Sequence, residues 1–393
     1  MGIYAQHGYG KSDKIVRALG RQLVSGVIMS PKDESPERLK QTISELEQDF
    51  PTAQILFDPQ FYVTTITPCK PGHLVNYDYY EGGLTRASFI RPSSITGYVH
   101  RTLDFQRELG LTRFISPTIV FNDFRENWSQ IALMLAEESA TYCQQLGNQL
   151  LVSIVVSEAA LRSREGLNEF LDMITMLDVS GFYVIVKRDS PSYQAMMDPN
   201  VLENLMYLTY VLHTVNGFEV IVGYCDLVGI PLHAVGVTAT ANGWFTGLRQ
   251  FTLNRFMPST GGRAARPRYT AAPLLNSILV VPELEAIAEF GFVDRVLTQT
   301  AYDVVLRTNP SDDLWPNSVS CLHHWETLNK LASDVSGAGN NSADRLTSLL
   351  DRIDLAEALY KTMTGVPFEY YSGSGHLNQW RVAIKAFLNS IGG

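Results

Sequence analysis

The chain has 393 residues, a formal charge of −9, 45% hydrophobic and 18% charged side chains. That length exceeds what one core usually accommodates, and the composition is that of a globular chain, not a disordered one. The acidic balance argues against a uniformly basic nucleic-acid coat. Four scattered cysteines with no CxxC pair (Cys69, Cys143, Cys225, Cys321) argue against a disulfide framework or a cysteine-rich zinc site. Reduced thiols in a cytoplasmic protein fit best. The N-terminus lacks a signal-peptide layout, and no run is apolar for long enough to suggest a membrane span.

In chain order, the first feature is "AQHGYGKS" at 5–12. It has the outline of a phosphate-binding loop, with Ala5 in the place of the first glycine and Lys11 placed to reach phosphates. Such a loop needs a buried strand before it. Only Met1 to Tyr4 precede it, so residues 1–25 read instead as a glycine-rich arm followed by a capped helix.

From residue 26, apolar β-branched runs alternate with helix-period segments. "GVIMSP" reads as a strand; in "SPERLKQTISELEQDF", Ser35 is an N-cap, Pro36 opens the helix, and Leu39, Ile43 and Leu46 share a face. Further strands follow at "AQILFDPQF", "RFISPTIVFNDF", "QLLVSIVVSE", "GFYVIVKRD", "FEVIVGYCD" and "AVGVTATANG", with helices near 127–146, 165–177 and 199–215. Near-continuous apolar strands between helices predict a parallel sheet covered on both faces. Seven strands lie between 26 and 243, and an eighth is expected near 268–275. The fold expected is therefore an α/β (β/α)8 TIM-type barrel over 26–281; an open doubly wound parallel sheet is the alternative. An irregular insertion occupies 64–110. Helical periods dominate 282–393, which reads as a helical C-terminal domain and a surface for protein partners.

In such a barrel, chemistry sits at the C-terminal ends of the strands. Those ends carry Ser30, Asp33, Asp58, Gln60, Asn122, Asp123, Glu158, Lys187, Arg188, Asp189, Tyr224, Asp226, Thr240 and Asn242. Asp58, Asp123, Glu158 and Asp226 are the candidate acid, base and nucleophile groups, and Lys187 a candidate nucleophile or electrostatic partner. Each also has a simpler reading, because a chain leaving a core must become polar. "CLHHW" offers Cys321, His323 and His324, but adjacent histidines diverge on a helix, so no metal and no cofactor is expected. Between Asp226 and Glu283 there is no acidic residue, while five arginines fall inside. Gly261, Gly262, Arg263, Arg266 and Arg268 form the candidate phosphate or anion site.

The stretch "FEVIVGYCDLVGIPLHAVGVTATANGW" resembles the strand, short helix and strand near the end of the barrel in tRNA-guanine transglycosylase-like proteins. That family's zinc motif is absent here, so no residue is carried over; the resemblance implies only nucleobase exchange as a reaction class. Two functions follow. One is a hydrolase or transferase acting on a phosphate-bearing small molecule, nucleotide or nucleic acid, by carboxylate chemistry of glycosidic type. The other is a non-catalytic scaffold subunit.

Overall fold

The computed structural model describes residues 2–189, 196–258, 266–307 and 310–392. Its strands are β1 (Gly2–Gln6), β2 (Gly26–Met29), β3 (Gln54–Phe57), β4 (Arg113–Ile115), β5 (Val120–Phe121), β6 (Gln149–Ser157), β7 (Gly181–Lys187), β8 (Glu219–Gly223), β9 (Ala239–Asn242), β10 (Arg268–Ala271) and β11 (Asn276–Leu279). The helices are α1 (Lys14–Gly20), α2 (Pro36–Asp49), α3 (Pro92–Glu108), α4 (Asn127–Leu146), α5 (Arg164–Ile174), α6 (Pro199–Tyr210), α7 (Gly229–Ala234), α8 (Thr246–Arg249), α9 (Glu285–Glu289), α10 (Val293–Val296), α11 (Asn317–Gly337), α12 (Ser342–Thr362) and α13 (Gly375–Ser390).

Parallel strands run β3–β2–β1–β9–β8–β7–β6–β4, with β5 continuing beside β6 past the end of β4. Counting β4 and β5 as one position gives eight, wound into a nearly closed (β/α)8 barrel of TIM type. The open-sheet alternative fails because the two ends of this path, β3 and β4, lie against one another and bring the sheet round on itself. The seam lies between β3 and β4, where Arg113 donates to the Gln54 side chain at 2.8 Å. Arg113 also pairs with Glu219 at the start of β8, so a polar plug closes the barrel floor.

Alternation along the strands sorts the core. Tyr4, Ile28, Leu56, Ile115, Leu151, Tyr183 and Ile221 belong to the cluster inside the barrel. Their sequence neighbours, such as Val27, Phe57, Val152 and Val222, join the cluster beneath the helices. This is the pattern of strands buried on both faces. At the floor, a Cβ on Gly181 would lie 2.1 Å from the Glu219 carbonyl oxygen, so only glycine fits there.

Two expectations about strands are corrected. The arm predicted at 1–25 contains β1, a barrel strand lying between β2 and β9. The segment expected to supply the eighth strand, 268–275, instead forms an antiparallel hairpin of β10 with β11, in a separate two-stranded sheet. The barrel thus starts at Gly2 and its last strand ends at Asn242. Between β3 and β4, three short 3-10 turns precede α3, and Tyr77 and Tyr79 are anchored in a cluster with Phe57 and Phe105.

From Val280 on, every described element is helical. These helices are not simply appended. The helix α11 packs between α7 and α1 and over β1, and the Trp325 indole N–H donates to the Asn242 carbonyl at 3.1 Å. It occupies the position where a barrel of this kind carries its eighth helix. No helix among the described residues is long and apolar enough to cross a membrane.

His233, His323, His324 and His376 are among the buried imidazoles, and burial depresses their pKa values, to about 3 for His233 and about 4 for His323 and His376. A base with a depressed folded pKa stabilises fully above its unfolded value, near 6.5, and loses that contribution as the pH falls toward 4 and below. Burial raises the pKa of Asp58 and Asp226, which acts in the opposite sense, but these groups are fewer. The urea midpoint is therefore expected to fall between pH 7 and pH 5. A midpoint that stays level or rises over that interval would contradict the neutral, buried state of these histidines.

Candidate functional site

The strand register aims Gln6, Ser30 and Asp58 toward the C-terminal mouth of the barrel, each two residues beyond the interior Tyr4, Ile28 and Leu56. Here Gln60 and Tyr224 both adopt left-handed backbone, each with φ of 51°, which costs a non-glycine residue about 1 kcal/mol or more. The two are joined: Gln60 Nε2 donates to the Tyr224 hydroxyl at 3.3 Å. Arg255 donates to the same hydroxyl at 3.1 Å and to Asp33 Oδ2 at 2.6 Å. Asp58 accepts from the Gln60 amide and from the Tyr62 hydroxyl, both at 2.9 Å. Tyr183, rising from β7, donates to Gln6 Oε1 at 3.3 Å.

A roof covers this cluster. Residues 245–257 cross the mouth, with Gln250 bridging to Cys225 and Phe251 to Lys187. Arg188 N–H donates to the Phe251 carbonyl at 2.8 Å, and Lys70 N–H to the Phe256 carbonyl at 2.6 Å. Phe251 and Phe256 are buried and meet Tyr62 with ring centroids 5.1 and 6.0 Å apart. Arg255 sits between the Tyr224 and Phe256 rings, 5.8 Å from each centroid.

The electrostatics separate two carboxylates. Burial pushes Asp58 up to about 6, against the pull of the Gln60 amide, the Tyr62 hydroxyl and Arg255. Burial acts on Asp33 as well, but Arg255 and Lys32 outweigh it and hold Asp33 below its ordinary value. Beside them, Glu34 is lowered to about 2: burial opposes ionisation, and His7 and Lys11 overcome it. Gln6 Nε2 and Gln60 Oε1 are buried without a hydrogen-bond partner among the described residues. Buried polar atoms normally have one.

The other candidate residues are placed differently. Asp123 is exposed and caps its own turn by accepting from the Arg125 amide at 2.8 Å. Glu158 pairs with Arg188 at 2.6 Å and accepts from the Asp189 amide. Lys187 donates to Asn122 at 3.1 Å and lies 3.7 Å from Asp189. Asp226 is buried under α11, 3.4 Å from His324, and lines a small cavity with Tyr224, Arg188 and Gln250 without bonding to Asp58. The five therefore do not converge, and Asp58 alone of them lies in the strained cluster.

The candidate anion site needs a similar correction. Arg266 pairs with Glu369, and Arg268 donates to the Ser277 carbonyl and to Ser372 while lying 3.7 Å from Glu369. Both are turned to the C-terminal region; Gly261, Gly262 and Arg263 lie outside the described residues. Of the residues that build the mouth, sequence reasoning missed Gln6, His7, Glu34, Tyr62, Tyr183 and Arg255. The signal for the first two was the strand at 2–6, which would have made them its C-terminal end.

Neither the protein-family models nor the curated proteins give a match to this chain. The stretch likened to transglycosylases does form strand, short helix and strand, as β8, α7 and β9.

"AQHGYGKS" can now be judged in place. Its context fits a phosphate loop better than expected, because β1 is a buried central strand. Its lysine does not: Lys11 pairs with Glu34 and donates to Thr42 Oγ1 at 2.9 Å. Lys11→Ala is expected to lower the urea midpoint by leaving Glu34 short of a cation, while titration with magnesium–ATP gives the same heats with and without the lysine. Saturable micromolar binding that vanishes in the variant would restore the phosphate-loop reading.

Proposed function

We propose that the roofed mouth is the active site of a hydrolase or transferase that breaks or exchanges a glycosidic bond by carboxylate acid–base chemistry. The observation that carries this is the divergence of Asp58 and Asp33 around Arg255. Two carboxyl groups whose surroundings drive their pKa values apart can serve as acid and as fixed anion in one site. Asp58, at about 6, would hand a proton to the leaving group. Asp33, kept ionised by Arg255, would face the positive charge that develops on the sugar. Gln6 Nε2 and Gln60 Oε1, buried and unbonded among the described residues, are a donor and an acceptor available to substrate hydroxyls. Phe251 and Phe256 keep water from the acid once the roof is shut. Because Arg266 and Arg268 are engaged by Glu369, the substrate class favoured is a neutral glycoside or nucleoside, not a phosphorylated one.

The scaffold reading draws on one observation of its own, the consumption of Glu158 by Arg188. A panel of nitrophenyl glycosides and nucleosides separates the two. Turnover is expected to fall as the pH rises through about 6, where Asp58 loses its proton, and to drop by about 100-fold or more in Asp58→Asn, with the fold retained. No turnover across the panel would leave the scaffold reading standing, and turnover indifferent to Asp58→Asn would place the acid elsewhere.

A further inference from the structure

A cavity of about 470 Å³ lies in the C-terminal region, between the turn joining β10 to β11 and the helices α11 and α12. All its lining residues follow Ala271, so it shares none with the barrel mouth. Its inner wall is apolar: Leu275, Leu297 and Leu331 are buried, while Leu355 stands 71% exposed at the rim. Three cations line it, Arg295, Lys330 and Arg352, against one carboxylate, Asp334. Arg352 is spent on Asp334 at 2.8 Å. Lys330 donates to the Thr298 carbonyl at 2.9 Å, and Arg295 rests on the Phe292 ring; neither has a carboxylate partner among the described residues. In a chain of charge −9, the pocket keeps two uncompensated positive charges beside a greasy wall.

Two of its wall residues are strained. Leu275 and Gln299 are left-handed, with φ of 51° and 66°. Each is held there by groups outside the pocket. His376 Nε2 donates to the Leu275 carbonyl at 2.9 Å. The Gln299 amide donates to Asp303 at 2.7 Å, and its side chain accepts from Arg307 at 3.1 Å. Strained backbone that its surroundings over-determine is concentrated at ligand clamps. The volume falls within the range of small-molecule sites, roughly 300–1,000 Å³, and an apolar wall with few charged groups is their usual chemistry.

We infer that this cavity binds an amphipathic organic anion, an apolar body ending in a phosphate or carboxylate, with the head on Arg295 and Lys330 and the body against the leucine wall. Calorimetric titration of the full chain tests this with octyl phosphate as probe, below its micellar concentration, and with inorganic phosphate and 1-octanol as half-ligands. Octyl phosphate is expected to bind saturably at one site, and each half-ligand about tenfold or more weakly, since either half forgoes one kind of contact. Arg295→Glu with Lys330→Glu is expected to weaken octyl phosphate by about tenfold or more. Leu355→Asp, at an exposed position that leaves the fold alone, should weaken it as well. Inorganic phosphate binding as tightly as octyl phosphate would reduce the site to surface charge. Equal binding of octyl phosphate by the charge-reversed variant would place the ligand elsewhere, and either result overturns the inference.

Discussion

The barrel depends on a helix that arrives late in the chain. A parallel barrel needs its outer face covered all round, because strands buried on both sides have no polar face to give to water. After β9 the chain supplies only the four-residue α8, itself part of the segment that crosses the mouth. The cover over β9 and β1 comes from α11, some 75 residues beyond Asn242. Trp325 fixes the helix to the end of β9. His324 lies between Asp226, just past β8, and Thr270 on the hairpin, whose hydroxyl is 2.8 Å from its Nδ1. His323 reaches the Thr270 carbonyl at 2.8 Å and Thr300 at 2.9 Å. "CLHHW" is therefore a joint between barrel, hairpin and helix, and one apolar cluster runs from Ile3 and Ile15 through Leu322 and Leu328. Cutting the chain at 281 would strip that face.

How much of this was legible follows from the kinds of signal available. Seven strands and most of the long helices were readable because each is a sustained run with one period; α2 even shows its Ser35 cap and Pro36, whereas α3 lies within the stretch read as an irregular insertion. The strand β1 was not, since only Ile3, Tyr4 and Ala5 form its apolar run and glycine-rich sequence follows. Residues 268–271 and 276–279 do form extended structure, but nothing local distinguishes a barrel strand from a hairpin; the left-handed Leu275 that turns the chain is not a residue that advertises a turn. The place of α11 has no sequence signal at all, because it is a matter of which gap in the helical layer remains unfilled.

The site was legible only as a set of candidates. Polar residues follow every strand, and sequence cannot say which will pair. Register decides: Ser157 lies opposite Lys187, so the next residues, Glu158 and Arg188, are brought side by side and neutralise one another. Asp58 escapes this because its neighbour on β2's side is Ser30 and not a cation. It is then sealed by Tyr62 and the two phenylalanines of the roof, which no local pattern around "FDPQFY" foretells.

The roof and Asp58 are coupled through Arg255. That residue belongs to the roof, while Asp33 and Asp58 belong to the barrel, so lifting residues 245–257 breaks the Arg255–Asp33 pair and removes a positive charge from the surroundings of Asp58. Taken alone, that loss would raise the pKa of Asp58. Opening also admits water, and burial is the larger influence on this carboxyl, so the net effect of opening is a lower pKa. An open mouth thus favours an ionised Asp58, and closure drives it toward its proton-bearing form near neutral pH. On the catalytic reading, shutting the roof over a glycoside would both exclude water and load the acid, making proton delivery contingent on an occupied site. The strained Gln60–Tyr224 contact lies at the junction where roof and barrel meet.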